Sequence, residues 1–170
     1  KKFAKLEFTV GDSKDFMFYP AHTFTHITCL YFTVYYIKDK FSFFRNCYEW
    51  LKPGGYLVVH VVNKHTFDPI LNEANPSSSP SVPNYAKERV TTSFIKFNNF
   101  KYRANFILDE NDDNANFEET FTDDNGKVRK NIHKMFMPTQ EEIARIGKEA
   151  GFIVEAKIDL DTVQYDNQQL

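Results

Sequence analysis

The chain has 170 residues, a length typical of one domain, and 42% of them are hydrophobic, which is enough for a sizeable core. A formal net charge of -2 gives no electrostatic case for a nucleic-acid or membrane partner. The longest apolar runs fall short of the ~18 residues that a membrane span requires. Cys29 and Cys47 lie in apolar surroundings without metal-type spacing, so we expect reduced cysteines in an intracellular, cytoplasmic setting.

The first third of the chain predicts alternating strands and one helix. Residues 5–10 alternate in strand fashion and end at Gly11-Asp12, and residues 24–30 read as a second strand. Asp39 or Lys38 begins a helix. Its apolar stripe, at the spacing of three and four that is typical of a buried helix face, is formed by Phe41, Phe44, Cys47, Tyr48 and Leu51.

A tight turn then leads into a buried strand. Pro53 cannot continue the helix, because it lacks an N–H group and its ring clashes with the preceding turn. Gly54 and Gly55 permit the positive φ angles of a sharp reversal. Residues 56–62 are almost unbroken apolar sequence rich in β-branched side chains, which favours a strand covered on both faces in a parallel sheet.

The sequence between residues 63 and 136 predicts an insertion within a single domain of residues 1–170. Residues 75–83, rich in Pro and Ser, are typical of a loop. The strand-like runs that follow are 90–97, 100–108, 114–122 and 127–136. Because Asn125-Gly126 lies between two of them, we expect a hairpin there and three or four antiparallel strands laid over the parallel sheet.

A second helix follows the insertion. Thr139 and Glu142 form a capping box at its start, Ile143, Ile146 and Ala150 point inward, and Gly151 ends it. Residues 152–158 and 164–170 predict two further strands. Residue 1 is Lys and the last run reads as an interrupted strand, so we expect a piece of a longer protein.

These segments, in this order, resemble a class I S-adenosylmethionine-dependent methyltransferase. The resemblance is carried by Gly11-Asp12 after a strand, by Phe24 to Leu30, by Leu51-Lys-Pro-Gly-Gly-Tyr-Leu57, and by Met137 to Phe152. It implies an α/β, Rossmann-like sheet with an inserted antiparallel β region, in which residues 5–10, 24–30 and 56–62 are strands 3, 4 and 5 and residues 152–159 and 164–170 are strands 6 and 7. Strands 1 and 2, with the Gly-rich cofactor loop, are missing from this sequence, and we expect them from the full-length protein or a partner.

The resemblance also implies which residues bind S-adenosylmethionine, the expected cofactor. Asp12 lies at the carboxyl end of the first strand, where ligands bind in open α/β sheets. In the family, the matching acidic residue accepts a hydrogen bond from the adenine amino group. The candidate cofactor-binding residues are Gly11, Asp12, Ser13, Cys29, Leu30 and Tyr31. A turn aspartate and plain core packing are the alternative readings of these positions.

Three residues are candidates for binding the methyl acceptor. Aromatic residues after the second strand, including Tyr35 and Tyr36, can surround a sulfonium methyl group, because aromatic faces attract cations. Asn63 follows the strand of residues 56–62. His60, within the same strand, is the candidate catalytic base, with a core histidine that only forms hydrogen bonds as the alternative.

The sequence therefore predicts a methyltransferase fragment that transfers a methyl group to an unidentified acceptor and is not expected to be active alone. The alternative is a methyltransferase-like interaction or scaffold module that has lost catalysis. Nucleic acid is not indicated as a partner, since the basic residues Lys127, Arg129, Lys130 and Lys134 stand opposite an acidic tract at 109–113. No metal-ligating set is recognisable around His65 and His133.

Overall fold

The computed structural model describes residues 6–67, 92–109 and 112–159. Six strands and two α-helices follow one another in this part of the chain, with short 3-10 helices at Phe16–Phe18 and Thr33–Tyr36. In chain order they are β1 (Phe24–Cys29), α1 (Lys40–Trp50), β2 (Leu51–Val59), β3 (Thr92–Lys96), β4 (Phe100–Leu108), β5 (Asn114–Asp123), β6 (Val128–Phe136) and α2 (Gln140–Glu149).

Strands β1 and β2 form a parallel pair joined through α1, as the sequence predicts. Phe24 pairs with Leu51 and His26 with Tyr56, so the Pro-Gly-Gly segment bulges out of the ladder. Gly54 has a φ of 76°, and a Cβ on Gly55 would lie 2.9 Å from the carbonyl oxygen of Lys52. Strand β2 therefore begins at Leu51, earlier than the predicted start at residue 56. It ends at Val59 and not at residue 62, because Val59 is the last residue that pairs with β1.

Helix α1 begins where predicted, with Asp39 accepting a hydrogen bond from the Ser42 amide at 3.0 Å. Its buried face differs in part from the prediction, since Phe41 and Tyr48 are exposed. The residues that it and its C-cap bury are Phe43, Phe44, Cys47, Trp50 and Leu51. These positions also follow a spacing of three and four, so the sequence pattern alone supports two overlapping stripes.

The second sheet is antiparallel with the order β3-β4-β5-β6, which confirms the four predicted runs. In the turn between β5 and β6, the Asp123 carboxylate accepts hydrogen bonds from the amides of Asn125, at 3.0 Å, and Lys127, at 2.8 Å. Gly126 has a φ of 80°, a left-handed conformation that glycine adopts without steric cost. The Asn-Gly hairpin prediction is therefore confirmed.

Helix α2 is capped by Thr139, whose hydroxyl accepts from the Glu142 amide at 3.2 Å. The Glu142 side chain pairs with Arg145 at 2.8 Å, so the helix shows one half of the predicted capping box. At the other end, Gly151 has a φ of 111°, and the amide of Phe152 donates to the Gly147 carbonyl at 3.0 Å. The predicted end of the helix at Gly151 is therefore confirmed.

Within the described residues, one hydrophobic core joins the parallel pair, both helices and one face of the antiparallel sheet. From the antiparallel sheet it includes Tyr102, Ala104, Phe106, Ala115, Phe117 and Met135. From the rest of the chain it includes Cys29, Val34, Tyr35, Phe43, Phe44, Cys47, Met137 and Ile143. The inserted strands thus pack on the parallel pair. Because successive side chains of a strand point to opposite faces, alternate residues of the antiparallel sheet form its buried face.

Two predicted strands do not form in the described residues. Residues 6–10 and 152–159 carry no regular secondary structure, and Leu6 and Phe8 are 78% and 91% exposed. A strand requires a hydrogen-bonded neighbour, and among the described residues neither segment has one. The predicted strand at 164–170 and the predicted loop at 75–83 lie outside the described residues.

A buried lysine at the start of α1 connects the two sheets. The Lys40 side chain is only 3% exposed, and its ammonium group donates to the carbonyls of Ile37, at 2.7 Å, and Phe136, at 2.8 Å. Burial lowers the pKa of Lys40 to about 8, against a smaller opposing effect of Asp113. Because Phe136 ends β6, this side chain fixes the end of the antiparallel sheet against α1.

The lowered pKa of Lys40 predicts an unusual dependence of stability on pH. Between pH 8 and about pH 10 the unfolded chain keeps the Lys40 proton while the folded chain loses it, so the free energy of unfolding rises with pH. We expect the stability of the native protein, relative to Lys40→Met, to increase by about 1–3 kcal/mol between pH 7 and pH 10.

Urea unfolding followed by circular dichroism at both pH values measures this difference. Lys52→Met, at an exposed lysine, is the control and should show no such change. An equal stability difference between native protein and Lys40→Met at both pH values would contradict the prediction.

Candidate functional site

The carboxyl ends of β1 and β2 meet at one edge of the parallel pair. The His60 amide donates to the carbonyl of Cys29 at 2.9 Å, so the candidate base and a candidate cofactor residue are neighbours through the backbone. The His60 side chain is partly buried, and this burial lowers its pKa. A lower pKa keeps the imidazole neutral at physiological pH, as a proton acceptor must be.

The turn after β1 is held in a strained conformation. Tyr31 and Phe32 have φ angles of 54° and 51°, in the left-handed region that costs roughly 1–2 kcal/mol for a residue other than glycine. The Leu30 carbonyl accepts from the amide of Thr33 at 3.2 Å and from its hydroxyl at 2.7 Å, which closes the turn. Leu30 and Tyr31 are consequently exposed at the sheet edge, and such strain is typical of functional sites.

The loop that carries Gly11, Asp12 and Ser13 is anchored to α1. The buried Asn46 amide group donates to the Ser13 carbonyl at 3.0 Å, and the Trp50 indole donates to the Phe16 carbonyl at 3.1 Å. A Cβ on Gly11 would lie 2.0 Å from the Phe18 ring, so glycine allows that ring to cover the backbone. These contacts fix the position of Asp12 although the segment before it has no strand partner in the described residues.

Asp12 presents an ionised carboxylate to solvent. One oxygen accepts from the Lys14 amide at 2.9 Å, and the other lies 3.4 Å from the Lys14 ammonium group. The backbone hydrogen bond from Lys14 lowers the pKa of Asp12 more than any other contact does. An ionised carboxylate accepts hydrogen bonds only, which suits recognition of an amino group.

A cavity of about 400 Å³ brings Asp12 and Ser13 together with Tyr36. The remaining residues of its lining are Lys14, Ile37, Lys38 and Asp39. Two of the residues predicted to bind the cofactor and one predicted to bind the acceptor thus border the same space. The structure places Tyr36 in a half-exposed position in its wall.

The other two predicted acceptor residues have different surroundings. Tyr35 is fully buried, and its hydroxyl donates to the Val62 carbonyl and accepts from the Val62 amide, both at 2.9 Å. Asn63 is exposed, and its side-chain oxygen accepts from the His65 amide at 3.0 Å. Tyr35 therefore anchors the chain that leaves β2, and Asn63 stabilises the turn that follows.

Sequence reasoning missed a group of polar residues on the inner face of the antiparallel sheet. The Glu119 carboxylate accepts from the Tyr102 hydroxyl at 2.8 Å, from the Asn131 amide at 3.4 Å, and lies 3.1 Å from His133 Nε2. The His133 ring meets the Tyr36 ring edge-on, with centroids 5.9 Å apart. The available signal was a glutamate on the apolar side of an alternating strand, where an unpaired charge is costly.

Comparison with known proteins agrees with the predicted resemblance. Residues 1–59 match the model of a family described as a methyltransferase domain. No curated protein matches the sequence. An S-adenosylmethionine-dependent methyltransferase from Clostridium acetobutylicum has a TM-score of 0.65 and 16% identity, with 94% of this chain and 59% of that chain covered.

Two further solved structures give the same result. The CcbJ methyltransferase of Streptomyces caelestis has a TM-score of 0.60 and 13% identity, covering 84% of this chain and 51% of that one. The amino pentose methyltransferase CalS10 of Micromonospora echinaspora, solved with S-adenosylmethionine bound, has a TM-score of 0.53 and 17% identity, covering 83% and 54%. The chain therefore spans between about half and three-fifths of the length of these proteins.

These comparisons confirm the resemblance to class I S-adenosylmethionine-dependent methyltransferases and the predicted Rossmann-like α/β fold class. In the described part of the chain, no helix has the length and apolar character of a membrane span. Within the same residues, no three or more of the His, Cys, Asp and Glu side chains are grouped to hold a metal ion. The roles of the individual site residues remain predictions.

The proximity of Glu119 to Tyr36 can be measured directly. Burial, followed by the negative charges of Glu119 and Tyr31, raises the pKa of Tyr36. Replacing the carboxylate in Glu119→Gln removes one of these charges, so we expect the pKa of Tyr36 to fall.

The measurement is a pH titration of carbon-13-labelled tyrosine by NMR, with the Tyr36 signal assigned from Tyr36→Phe. Glu118→Gln is the matched control, because Glu118 neighbours Glu119 on β5 but is exposed. A Tyr36 titration that is the same in Glu119→Gln and in the native protein would refute the electrostatic contact.

Proposed function

We propose that the chain supplies the later strands and the acceptor side of a S-adenosylmethionine-dependent methyltransferase. The observation that carries the proposal is the cavity in which Asp12 and Ser13, on the cofactor side, face Tyr36, on the acceptor side. Tyr36 ends the short 3-10 helix that follows the strained turn at the carboxyl end of β1. This edge is where open α/β sheets bind their ligands.

The residues present at this edge fit S-adenosylmethionine. The Asp12 carboxylate is exposed and ionised, as a partner for the adenine amino group must be. In this proposal the chain from Cys29 to Tyr31, at the carboxyl end of β1, lies against the methionine part of the cofactor. Leu30 and Tyr31 are exposed there, whereas Cys29 is buried. The Gly-rich loop and the acidic residue for the ribose come, in this proposal, from two strands supplied by an N-terminal segment or a partner.

When bound, the cofactor supplies an electrophilic methyl group on a positively charged sulfur. The chain contributes position, aromatic surroundings and exclusion of water. Phe32 packs edge-on against the buried Phe67 with centroids 5.0 Å apart, and its ring lies 4.5 Å from that of Tyr31. Aromatic rings attract cations through their quadrupole, and orientation alone accounts for much of the rate enhancement in such a substitution.

A second function is a methyltransferase-like interaction module that no longer catalyses methyl transfer. It is favoured by the exposed apolar side chains of Leu6, Phe8 and Val10, in a segment that has no strand partner among the described residues and leads into the loop of Asp12. Both functions suit an intracellular, cytoplasmic setting, which the free and buried state of Cys29 and Cys47 supports. Cofactor binding separates the two.

Calorimetric titration of S-adenosylmethionine into the polypeptide extended at its N-terminus tests the proposal. We expect binding, and a loss of about tenfold in affinity in Asp12→Ala, because one hydrogen bond to a charged group is removed. Asp124→Ala, in the exposed β5–β6 turn, is the matched control and should bind like the native protein.

Two results would overturn this function. Neither heat nor a thermal shift from the cofactor would favour the interaction module. Equal affinities of native protein and Asp12→Ala would remove Asp12 from the cofactor site. Circular dichroism of each variant confirms that the fold is retained.

A further inference from the structure

Glu119 and His133 lie diagonally across the β5–β6 ladder on its inner face. Glu119 is directly opposite Asn131, and His133 is directly opposite Phe117. The Glu119 side chain is 18% exposed and that of His133 is 35% exposed. The pair is therefore partly withdrawn from solvent while one side of the imidazole stays accessible.

The hydrogen bonds of Glu119 determine which imidazole nitrogen carries the proton. Its carboxylate receives the Tyr102 hydroxyl on one oxygen and the Asn131 amide on the other. Because both oxygens of Glu119 act as acceptors in these bonds, the carboxyl group presents lone pairs to His133 Nε2, 3.1 Å away, which must donate. The neutral imidazole then has its lone pair on Nδ1, which has no hydrogen-bond partner among the described residues.

Aromatic rings hold His133 beside the candidate cofactor cavity. The imidazole stacks on the Phe117 ring at 5.7 Å and 26°, and its other neighbour is the edge-on ring of Tyr36. Tyr36 itself lines the cavity that contains Asp12 and Ser13. Tyr36 thus contacts the His133 imidazole and also borders the cavity, so His133 lies next to a residue on the acceptor side of the proposed site.

We propose that His133 is the base that takes the proton of the methyl acceptor and that Glu119 is its positioning residue, with an amine as the acceptor. This inference rests on the proposed function. The amine nitrogen donates its lone pair to the methyl carbon as the carbon–sulfur bond breaks. That bond's electron pair stays on sulfur, giving neutral S-adenosylhomocysteine, and the proton of the resulting ammonium moves to His133 Nδ1.

An amine fits these residues better than an alcohol. An imidazole with an ordinary pKa near 6.5 is much closer in basicity to an amine, at about 8–10, than to an alkoxide. The surroundings also favour a positive charge on the acceptor, because the Glu119 carboxylate and the ring faces of Phe117 and Tyr36 are near. The other titratable groups facing the pair are Tyr102 on β4 and Tyr36 after β1, both neutral at physiological pH.

The tautomer is tested without cofactor or acceptor. Nitrogen-15 NMR of the imidazole should show His133 protonated at Nε2, and Glu119→Gln should shift this tautomer equilibrium toward Nδ1–H. Glu118→Gln is the matched control on the same strand and should leave the spectrum unchanged. A His133 imidazole protonated at Nδ1 in the native protein overturns the assignment whether or not the protein is a methyltransferase.

The acceptor is tested with a pair of probes of the same shape on the N-terminally extended polypeptide. Transfer of a tritiated methyl group to cyclohexylamine, and not to cyclohexanol, is the expected result. We expect His133→Gln to lower kcat by about 10²-fold or more with cofactor affinity unchanged, and Glu119→Gln to lower it less. The pH profile of kcat should also differ between the native protein and His133→Gln, because the variant lacks the proposed base.

Added imidazole should restore part of the activity of His133→Ala, which a merely structural role would not allow. Cofactor binding followed by transfer to the alcohol alone, or to neither probe, overturns the amine assignment. An activity of His133→Gln equal to that of the native protein overturns the base. Failure of the cofactor to bind would instead refute the proposed function. The NMR experiment would then still decide whether Glu119 sets the tautomer of His133.

Discussion

The geometry of the candidate site depends on the buried ammonium group of Lys40. It joins the Ile37 carbonyl, in the segment after β1, to the Phe136 carbonyl at the end of β6. Tyr36 directly precedes Ile37, and His133 precedes Phe136 on the same strand. Lys40 therefore fixes the segment that carries Tyr36 against the end of the strand that carries His133. A buried charge is stable only when it is well paired, so this join between the two sheets is specific in its geometry.

Elements with strong local signals were predictable from the sequence. Pro53 and the following glycines predicted the end of α1, and Asn125-Gly126 predicted the hairpin between β5 and β6 with nearly the right strand bounds. These residues are predictive because proline restricts its own φ angle and lacks a backbone N–H, and glycine permits positive φ, whatever the tertiary surroundings. Thr139 and Gly151 predicted both ends of α2 for the same reason.

Features that depend on tertiary neighbours were not predictable. The alternation of residues 5–10 is a valid strand pattern, but a strand forms only with a partner, and the described residues provide none. The pairing of Glu119 with His133 required the register of β5 with β6, which no local pattern specifies. In the sequence, Lys40 is an ordinary lysine at the start of a helix, and its burial depends on the contact with the end of β6. The Glu119–His133 pair and the burial of Lys40 therefore could not be predicted from the sequence.

The two sides of the proposed site come from different sheets. Asp12 and the turn at Tyr31 are fixed by α1 and by the parallel pair, whereas Glu119 and His133 are fixed by cross-strand neighbours in the antiparallel sheet. Substitutions on the inner face of β5 and β6 can therefore change the acceptor side while the loop that carries Asp12 stays anchored. Methyl transfer from a sulfonium makes few chemical demands on the protein, because positioning supplies most of the rate. In the proposed enzyme, the inserted sheet would meet those demands, since it would add the base and the aromatic wall that we propose without altering the cofactor side.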